Sequence, residues 1–371
     1  MDSGWRVTPA APIGIQAGRL LRAVAFGGGS VWAAAEIDEH ILRIDPDAGR
    51  VSRTIPVEGR PRDVAVGEGA VWVATESSVV RIDPATNRAT TVHEFADDPI
   101  MPGIAVGAGS VWAIGPANTL VRIDPRSGGE IATMELRGEA RVVAFGEGAL
   151  WAATFGSNVF RIDPATNRVA GTVAAPLGPA GIAVGSGAVW VVGESSNEVV
   201  RIAPDTVEVV VRIPVGKFPG PIDATDDGVW IGFQGRPSIA RIAPASGEVS
   251  KTVRLHDGVS VGLIPFAIAI GGDAVWVSVA GGRILEVDPG PVTSVRDPGP
   301  LRLLVPKERQ APTGRLSGRT RPPRGDHERG ISGPSGLVLV ETMELSLCWR
   351  GRTEGRMANS SCVSVSTEPR R

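Results

Sequence analysis

Three observations predict an all-β fold, and more narrowly a seven-bladed β-propeller. A Val-Trp phrase recurs with a nearly constant period, four strand-like runs fit between successive copies, and Gly and Pro interrupt any long helix. There are 48 Gly and 30 Pro in 371 residues. The repeated tryptophans follow one another at spacings of 40, 40, 39, 39, 40 and 46 residues: Trp32, Trp72, Trp112, Trp151, Trp190, Trp230 and Trp276.

Each copy contains four strand-like runs whose polarity rises along the copy. In the second copy, residues 64–66 and 71–74 are continuous apolar runs, residues 80–83 alternate, and residues 88–92 are mostly polar. Four-stranded blades around a central axis bury their inner strands between neighbouring blades and expose the fourth strand at the rim. The pattern therefore predicts seven such blades rather than a solenoid.

The repeated residues within each copy have sufficient structural explanations. A Gly-x-Gly turn joins the first two strands, where Gly permits the positive φ of a tight hairpin. The Asp-Pro pair after the third strand has the chemistry of a type I turn, in which the Asp side chain accepts from backbone N–H groups. We interpret the repeated Trp as packing between blades rather than as a platform for a ligand.

The chain is expected to comprise a propeller over residues 1–290 and a tail over residues 291–371. The tail carries 14 basic and 8 acidic side chains, whereas the first 290 residues carry 24 basic and 32 acidic ones. Its Arg-, Pro- and Gly-rich composition predicts disorder, apart from an apolar island at residues 337–349. It is either a basic linker or non-native sequence from a shifted reading frame. Residues 5–9 are expected to supply the fourth strand of the last blade, with residues 292–295 as the competitor.

Composition excludes some partners and leaves the compartment open. The mildly acidic propeller is a poor match for nucleic acid, and no apolar run is long enough to span a bilayer. We expect a monomer without cofactor or metal. No signal peptide is visible at the N-terminus; a cytoplasmic location is the expectation for the chain as written, and the localisation is left unknown. Both cysteines, Cys348 and Cys362, lie in the tail and do not decide the compartment.

The phrase GxGxVWVA followed by RIDPxT, over about residues 5–290, resembles the YVTN-type β-propeller repeat proteins. That group is related to streptogramin B lyases and to NHL-type sensor propellers. The resemblance implies the fold and an extracytoplasmic module that binds ligands or proteins, often attached to a kinase, transporter or regulator. The chain shows no such attached domain, and its start within a strand indicates truncation or an imprecise start.

The positions that vary between copies are the candidate binding residues. One set, about ten residues before each Trp, is expected at the mouth of the channel, and the second set follows the Trp by four residues. The first contains Arg22, Arg62 and Arg141, which could clamp a carboxylate or phosphate; the second contains Glu36, Glu76 and Glu194. Arg22–Glu36 and Arg62–Glu76 share blades and are expected to neutralise each other, which leaves Arg141 and Glu194 less explained.

The 46-residue spacing lengthens the last mouth loop, residues 254–265, and places His256 beside Asp257. His256 is a candidate ligand-binding residue, and the pair is a weak candidate for acid–base catalysis. The favoured function is a non-enzymatic module that binds a protein or a small anionic ligand at the mouth, as the sensor part of a larger regulatory or transport system. The alternative is a lyase or hydrolase similar to streptogramin B lyases.

Overall fold

The structure is a computed structural model that describes residues 20–96, 103–255 and 263–289, with the backbone of residues 347–349 and 361–363. The chain divides into two units, Met1–Asp297 and Pro298–Arg371. Within the described residues of the first unit, 27 strands form seven antiparallel sheets, and the inner strand of each sheet packs against that of the next, with the seventh packed against the first. The predicted all-β, seven-bladed propeller is confirmed.

The first four blades run from inner to outer strand in chain order. Blade 1 contains β1 (Leu21–Gly27), β2 (Ser30–Ala35), β3 (His40–Asp45) and β4 (Arg50–Pro56). Blade 2 contains β5 (Pro61–Gly67), β6 (Ala70–Thr75), β7 (Ser78–Asp83) and β8 (Arg88–Glu94). Blade 3 contains β9 (Ile104–Gly107), β10 (Ser110–Ile114), β11 (Thr119–Ile123) and β12 (Glu130–Glu135). Blade 4 contains β13 (Ala140–Gly146), β14 (Ala149–Thr154), β15 (Asn158–Asp163) and β16 (Arg168–Ala174).

The remaining blades continue the same order. Blade 5 contains β17 (Pro179–Gly185), β18 (Ala188–Gly193), β19 (Glu198–Ala203) and β20 (Glu208–Pro214). Blade 6 contains β21 (Pro219–Thr225), β22 (Gly228–Phe233), β23 (Ser238–Ile242) and β24 (Val249–Arg254). Blade 7 contains β25 (Pro265–Gly271), β26 (Ala274–Val279) and β27 (Arg283–Val287). In the second unit, β28 (Leu347–Trp349) pairs with β29 (Ser361–Val363).

Two expectations about the ends of the propeller lie outside the described residues. Blade 7 has three strands within the described ranges, and both candidates for its fourth strand, residues 5–9 and 292–295, fall beyond them. The origin and disorder of the tail likewise stay predictions. No helix in the described part of the chain has the length and apolarity needed to cross a membrane.

Seven apolar clusters hold the ring together, and each lies between two blades. Trp32 of blade 1 packs with Val64, Val71 and Val73 of blade 2, and Trp276 of blade 7 packs with Leu42 of blade 1 to close the ring. All seven repeated tryptophans are at most 2% exposed. The predicted role of these residues in packing between blades is confirmed.

Tryptophan also fixes the end of its own inner strand. In six blades the indole N–H donates to the backbone oxygen of the glycine that precedes it by five residues, at 3.0–3.2 Å. That glycine lies close to the next blade, because a Cβ on Gly27 would come within 2.5 Å of Val66 and one on Gly67 within 2.7 Å of Val106. The first Gly of Gly-x-Gly is therefore required by packing, whereas the second has the predicted positive φ, as at Gly69 (φ 73).

The Asp-Pro turns are structural as predicted. The carboxylate of Asp83 accepts from the backbone N–H groups of Ala85 and Thr86 at 2.8 and 3.0 Å. Such hydrogen bonds stabilise the charged form and lower the pKa of Asp83, Asp124 and Asp163 below the ordinary value.

In blades 1 and 3 the arginine that precedes the Asp-Pro turn connects neighbouring blades. Arg43 of blade 1 donates through Nη1 to Pro84 O at 2.6 Å and to Asn87 Oδ1 at 3.0 Å in the Asp-Pro turn of blade 2. Its Nε donates to Ser30 Oγ at 3.0 Å. Arg122 of blade 3 repeats this arrangement on Ser110, Pro164 and Asn167.

In three other blades the serine is replaced by alanine, and the arginine Nε is buried without a hydrogen-bond partner. These pairs are Ala70 with Arg81, Ala149 with Arg161, and Ala188 with Arg201. An unpaired buried donor lowers stability because its hydration is lost without replacement.

Serine at position 70 or 188 is expected to stabilise the protein. Its hydroxyl would accept from the unpaired Nε of Arg81 or Arg201, so Ala70→Ser and Ala188→Ser should each raise the free energy of unfolding by about 0.5–1.5 kcal/mol. Chemical denaturation measures the change. Ala152→Ser is the matched control, because it places a hydroxyl in an apolar cluster and should lower stability. Equal effects of all three substitutions would contradict this role of the serine.

Candidate functional site

The inner strands begin around the mouth of the central channel, where they line a cavity of about 560 Å³. One side chain or backbone segment from the start of each inner strand contributes to the wall: Arg22, Arg62, Gly103, Arg141, Ala180, Pro221 and Phe266. Six of these seven occupy the mouth positions expected from the sequence. The seventh expected residue, Pro102, lies outside the described residues.

Backbone hydrogen bonds bring the second set of candidate residues to the same face. The N–H of Glu36 donates to Leu20 O at 3.0 Å, that of Glu76 to Arg60 O at 3.2 Å, and that of Glu194 to Gly178 O at 2.9 Å. Each bond ties the loop after a second strand to the segment that enters the same blade. The loops of the mouth are therefore fixed by main-chain contacts that do not depend on the variable side chains.

Arg22 and Arg62 converge on one buried carboxylate. Arg22 Nε lies 3.2 Å from Glu36 Oε2, and Arg62 Nη1 lies 2.6 Å from Glu36 Oε1. The Glu36 side chain is only 8% exposed, and a buried carboxylate with too little compensation is destabilising. Two guanidinium groups around one carboxylate compensate its charge and leave a net positive charge, while Glu36 Oε2 has no hydrogen-bond partner among the described residues.

The expected same-blade pair of Arg62 with Glu76 is wrong. Arg62 bridges instead to Glu36 of the preceding blade, and Glu76 takes part in none of the ion pairs found within the described residues. The buried Glu36 is the more demanding partner, since Glu76 is only half-buried and retains contact with water.

Arg141 and Glu194 are brought together across blades 4 and 5. Arg141 Nη2 lies 3.5 Å from Glu194 Oε2, and the side chains are 20% and 34% exposed. The Arg141 guanidinium also lies over the Phe155 ring, 4.9 Å from its centroid. This ion pair is longer than the two on Glu36, and Arg141 donates no hydrogen bond to protein atoms within the described ranges.

Two carboxylates on the inner strands were not found by sequence reasoning. Asp63 accepts from the N–H of Val64 and, in the next blade, from that of Ile104, both at 2.9 Å. Asp223 accepts in the same way from Ala224 and from Ile270 of blade 7, both at 2.8 Å. Each carboxylate thus accepts a hydrogen bond from a backbone N–H of the neighbouring blade. That N–H lies on the inner strand, on the edge that faces the channel. The available signal was an acidic residue inside a first strand that is mostly apolar.

Burial raises the pKa of both carboxyls to about 6 and outweighs the opposing effect of their backbone hydrogen bonds. Asp63 lines the cavity beside Arg62. The mouth therefore carries three guanidinium groups together with the carboxyls of Glu36, Glu194 and Asp63. Its net charge becomes more positive as Asp63 takes up a proton.

The remaining sequence candidates fall outside this geometry. His256 and Asp257 lie outside the described residues, so their proposed binding and acid–base roles stay predictions. Among the residues that the structure describes, no group of three or more His, Cys, Asp or Glu side chains is placed to hold a metal ion.

In comparisons with known proteins, no family model and no curated protein matches the chain. The fold itself identifies it as a propeller repeat protein.

Asp63 and Asp223 are expected to titrate near pH 6. Their folded-state pKa lies above the ordinary value of 3.8, so the native protein binds more protons than the unfolded chain between about pH 4 and 6. Their stabilising contribution is complete below about pH 4 and is lost as the pH rises through 6. Carbon-13 NMR of the carboxyl groups, assigned with Asp63→Asn and Asp223→Asn, measures the midpoints.

The turn residue Asp83 is the internal control, because its pKa is shifted in the opposite direction. Midpoints near 4 for both inner-strand carboxyls would show that burial does not dominate their environment.

Proposed function

We propose that this propeller is a binding module rather than an enzyme, and that it takes a small organic anion, in particular a carboxylate, at the channel mouth. The observation that carries the proposal is the state of Arg141. Its side chain is 20% exposed and lines the cavity, and its guanidinium has its nearest carboxylate at 3.5 Å. A ligand carboxylate would supply the bidentate hydrogen bonds that Glu194 does not.

The walls of the cavity fit a ligand that is charged at one end and apolar at the other. Phe266, Pro221 and Ile222 give an apolar wall, and Gln234 adds an amide. A volume of about 560 Å³ lies within the range of roughly 300–1,000 Å³ that is usual for small-molecule sites. Arg22 is the second cationic candidate, because it shares Glu36 with Arg62 and is 42% exposed.

The resemblance to YVTN-type propellers supports a binding role and a place as the sensor part of a larger regulatory or transport system. The lyase alternative depends on His256 as a base, and no contact within the described residues favours it. A binding function needs only the mouth residues already described.

Replacement of Arg141 is expected to weaken anion binding. Benzoate is a suitable probe because it joins a carboxylate to an apolar ring. Loss of a charge-assisted hydrogen bond costs about 1.5–3 kcal/mol, so Arg141→Gln should raise the Kd for benzoate roughly ten- to a hundredfold. Isothermal titration calorimetry gives the Kd, and Arg22→Gln should have a smaller effect in the same direction.

Arg168→Gln, on the exposed outer strand of blade 4, is the matched control and should bind benzoate as the wild-type protein does. Charge reversal at Arg62 is avoided, since it would place two carboxylates together at Glu36. Equal binding by Arg141→Gln and wild type, or failure of wild type to bind benzoate and a wider panel of aromatic carboxylates, would contradict the proposal.

A further inference from the structure

Among the described residues, four large apolar side chains are exposed on the mouth face: Ile37 in blade 1, and three others that lie together over consecutive blades. Phe155, in the loop after β14, is 46% exposed; Leu177, between blades 4 and 5, is 61% exposed; and Phe218, between blades 5 and 6, is 55% exposed. All three loops open on the mouth face, because they precede an inner strand or follow a second strand. We refer to these three residues as the apolar patch.

The backbone under the apolar patch is fixed by hydrogen bonds. Phe155 N donates to Glu139 O at 3.0 Å, Ser195 N donates to Leu177 O at 3.2 Å, and Gln234 N donates to Phe218 O at 2.9 Å. Phe218 N in turn donates to Asn197 Oδ1 at 3.0 Å. The exposure of these side chains is therefore a property of ordered loops. Exposed apolar groups on an ordered surface are typical of interaction sites.

Phe218 also occupies a backbone conformation that its side chain does not favour. Its φ is +53°, in the left-handed region where a bulky residue is strained, and the corresponding residue of the preceding loop is Gly178, with φ +64°. Glycine would adopt this turn without strain, so the turn itself does not explain a phenylalanine. Strain of this kind accumulates at functional sites.

Charge is distributed unevenly over the mouth face, and its positive half coincides with the apolar patch. The mouth loops of blades 4–6 carry Arg137, Lys217 and Arg236, all exposed, with Arg141 beside them, against Glu139 and Glu194. The loops of blades 1 and 2 have an excess of negative charge. Their basic side chains are Arg60 and the two arginines that pair with Glu36. Their five acidic side chains are Glu36, Asp38, Glu39, Glu58 and Glu76. A partner that covers the apolar patch would meet a basic border.

We propose that the apolar patch is a docking surface for a peptide segment of a partner protein that presents acidic side chains beside large apolar ones. The apolar side chains of the peptide would cover Phe155, Leu177 and Phe218, and its carboxylates would lie near Arg137, Lys217 and Arg236. Aromatic residues and arginine are enriched in protein–protein interfaces, whose rims are polar. The proposal does not depend on what occupies the cavity.

The rim offers a matched comparison. Ile131, Val169 and Val249 are 46%, 45% and 42% exposed, and each lies on the outer strand of a different blade. Their exposure is close to that of Phe155 and lower than that of Leu177 and Phe218, and they do not share the face of the apolar patch.

The test begins with selection from a displayed library of random 12-residue peptides on the wild-type protein. Enriched sequences should combine Asp or Glu with Leu, Phe or Trp, and their Kd is then measured by fluorescence anisotropy. The variant with Phe155→Ser, Leu177→Ser and Phe218→Ser should weaken binding at least tenfold. The rim variant with Ile131→Ser, Val169→Ser and Val249→Ser should change it less than twofold.

Phe218→Gly separates binding from folding. It removes the strained φ, so we expect it to unfold at a temperature no lower than that of the wild-type protein while binding the peptide at least fivefold more weakly. Benzoate affinity should be unchanged in the double variant with Leu177→Ser and Phe218→Ser, which keeps Phe155 against the Arg141 guanidinium, and this distinguishes failure of this proposal from failure of the anion site. The proposal is overturned if only basic peptides or none are enriched, if the rim variant loses as much affinity, or if the triple variant of the patch loses none.

Discussion

The indole of each repeated tryptophan lies between two blades, and in six blades its N–H donates to the glycine carbonyl at the end of its own inner strand. The tryptophan side chain therefore buries a large apolar surface while its polar N–H keeps a hydrogen-bond partner. It also fixes the end of the inner strand where the next blade packs most closely, as Gly27 does against Val66. The ring depends on this unit, because every apolar cluster found among the described residues is shared between neighbouring blades.

Once packing and turn chemistry have accounted for the repeated residues, the positions that vary between copies become informative. The third-strand arginines illustrate the division, because Arg43 and Arg122 bridge to the next blade while Arg81 keeps an unpaired Nε. The propeller forms even though the Nε of Arg81 lacks a hydrogen-bond partner. The variable positions at the mouth differ from these scaffold positions because their residue types are separated in space. Arg141, Phe155 and Phe218 lie on one side of the mouth, and a group of carboxylates lies on the other.

Much of the fold was predictable from the sequence because the period of the tryptophans and the strand polarity are local properties. The mouth position of Arg22, Arg62 and Arg141 followed from the same period. The pairing of Arg62 with Glu36 could not be predicted in this way. The sequence of one copy shows which residues that copy contains, but it does not show which loop of a neighbouring blade lies within contact distance. The same limit applies to Asp63, whose second hydrogen bond is to Ile104 of the next blade, and to Phe218, whose positive φ depends on the loop geometry.

The central claim is that ligand recognition takes place at the channel mouth, on a face that the repeated scaffold holds in place. A crystal of the protein soaked with 4-bromobenzoate tests it most directly, because the bromine can be located by anomalous scattering. The account predicts a bromine peak inside the cavity, against the wall that contains Phe266, with the carboxylate on Arg141. A peak confined to the rim or to the opposite face of the propeller would contradict it.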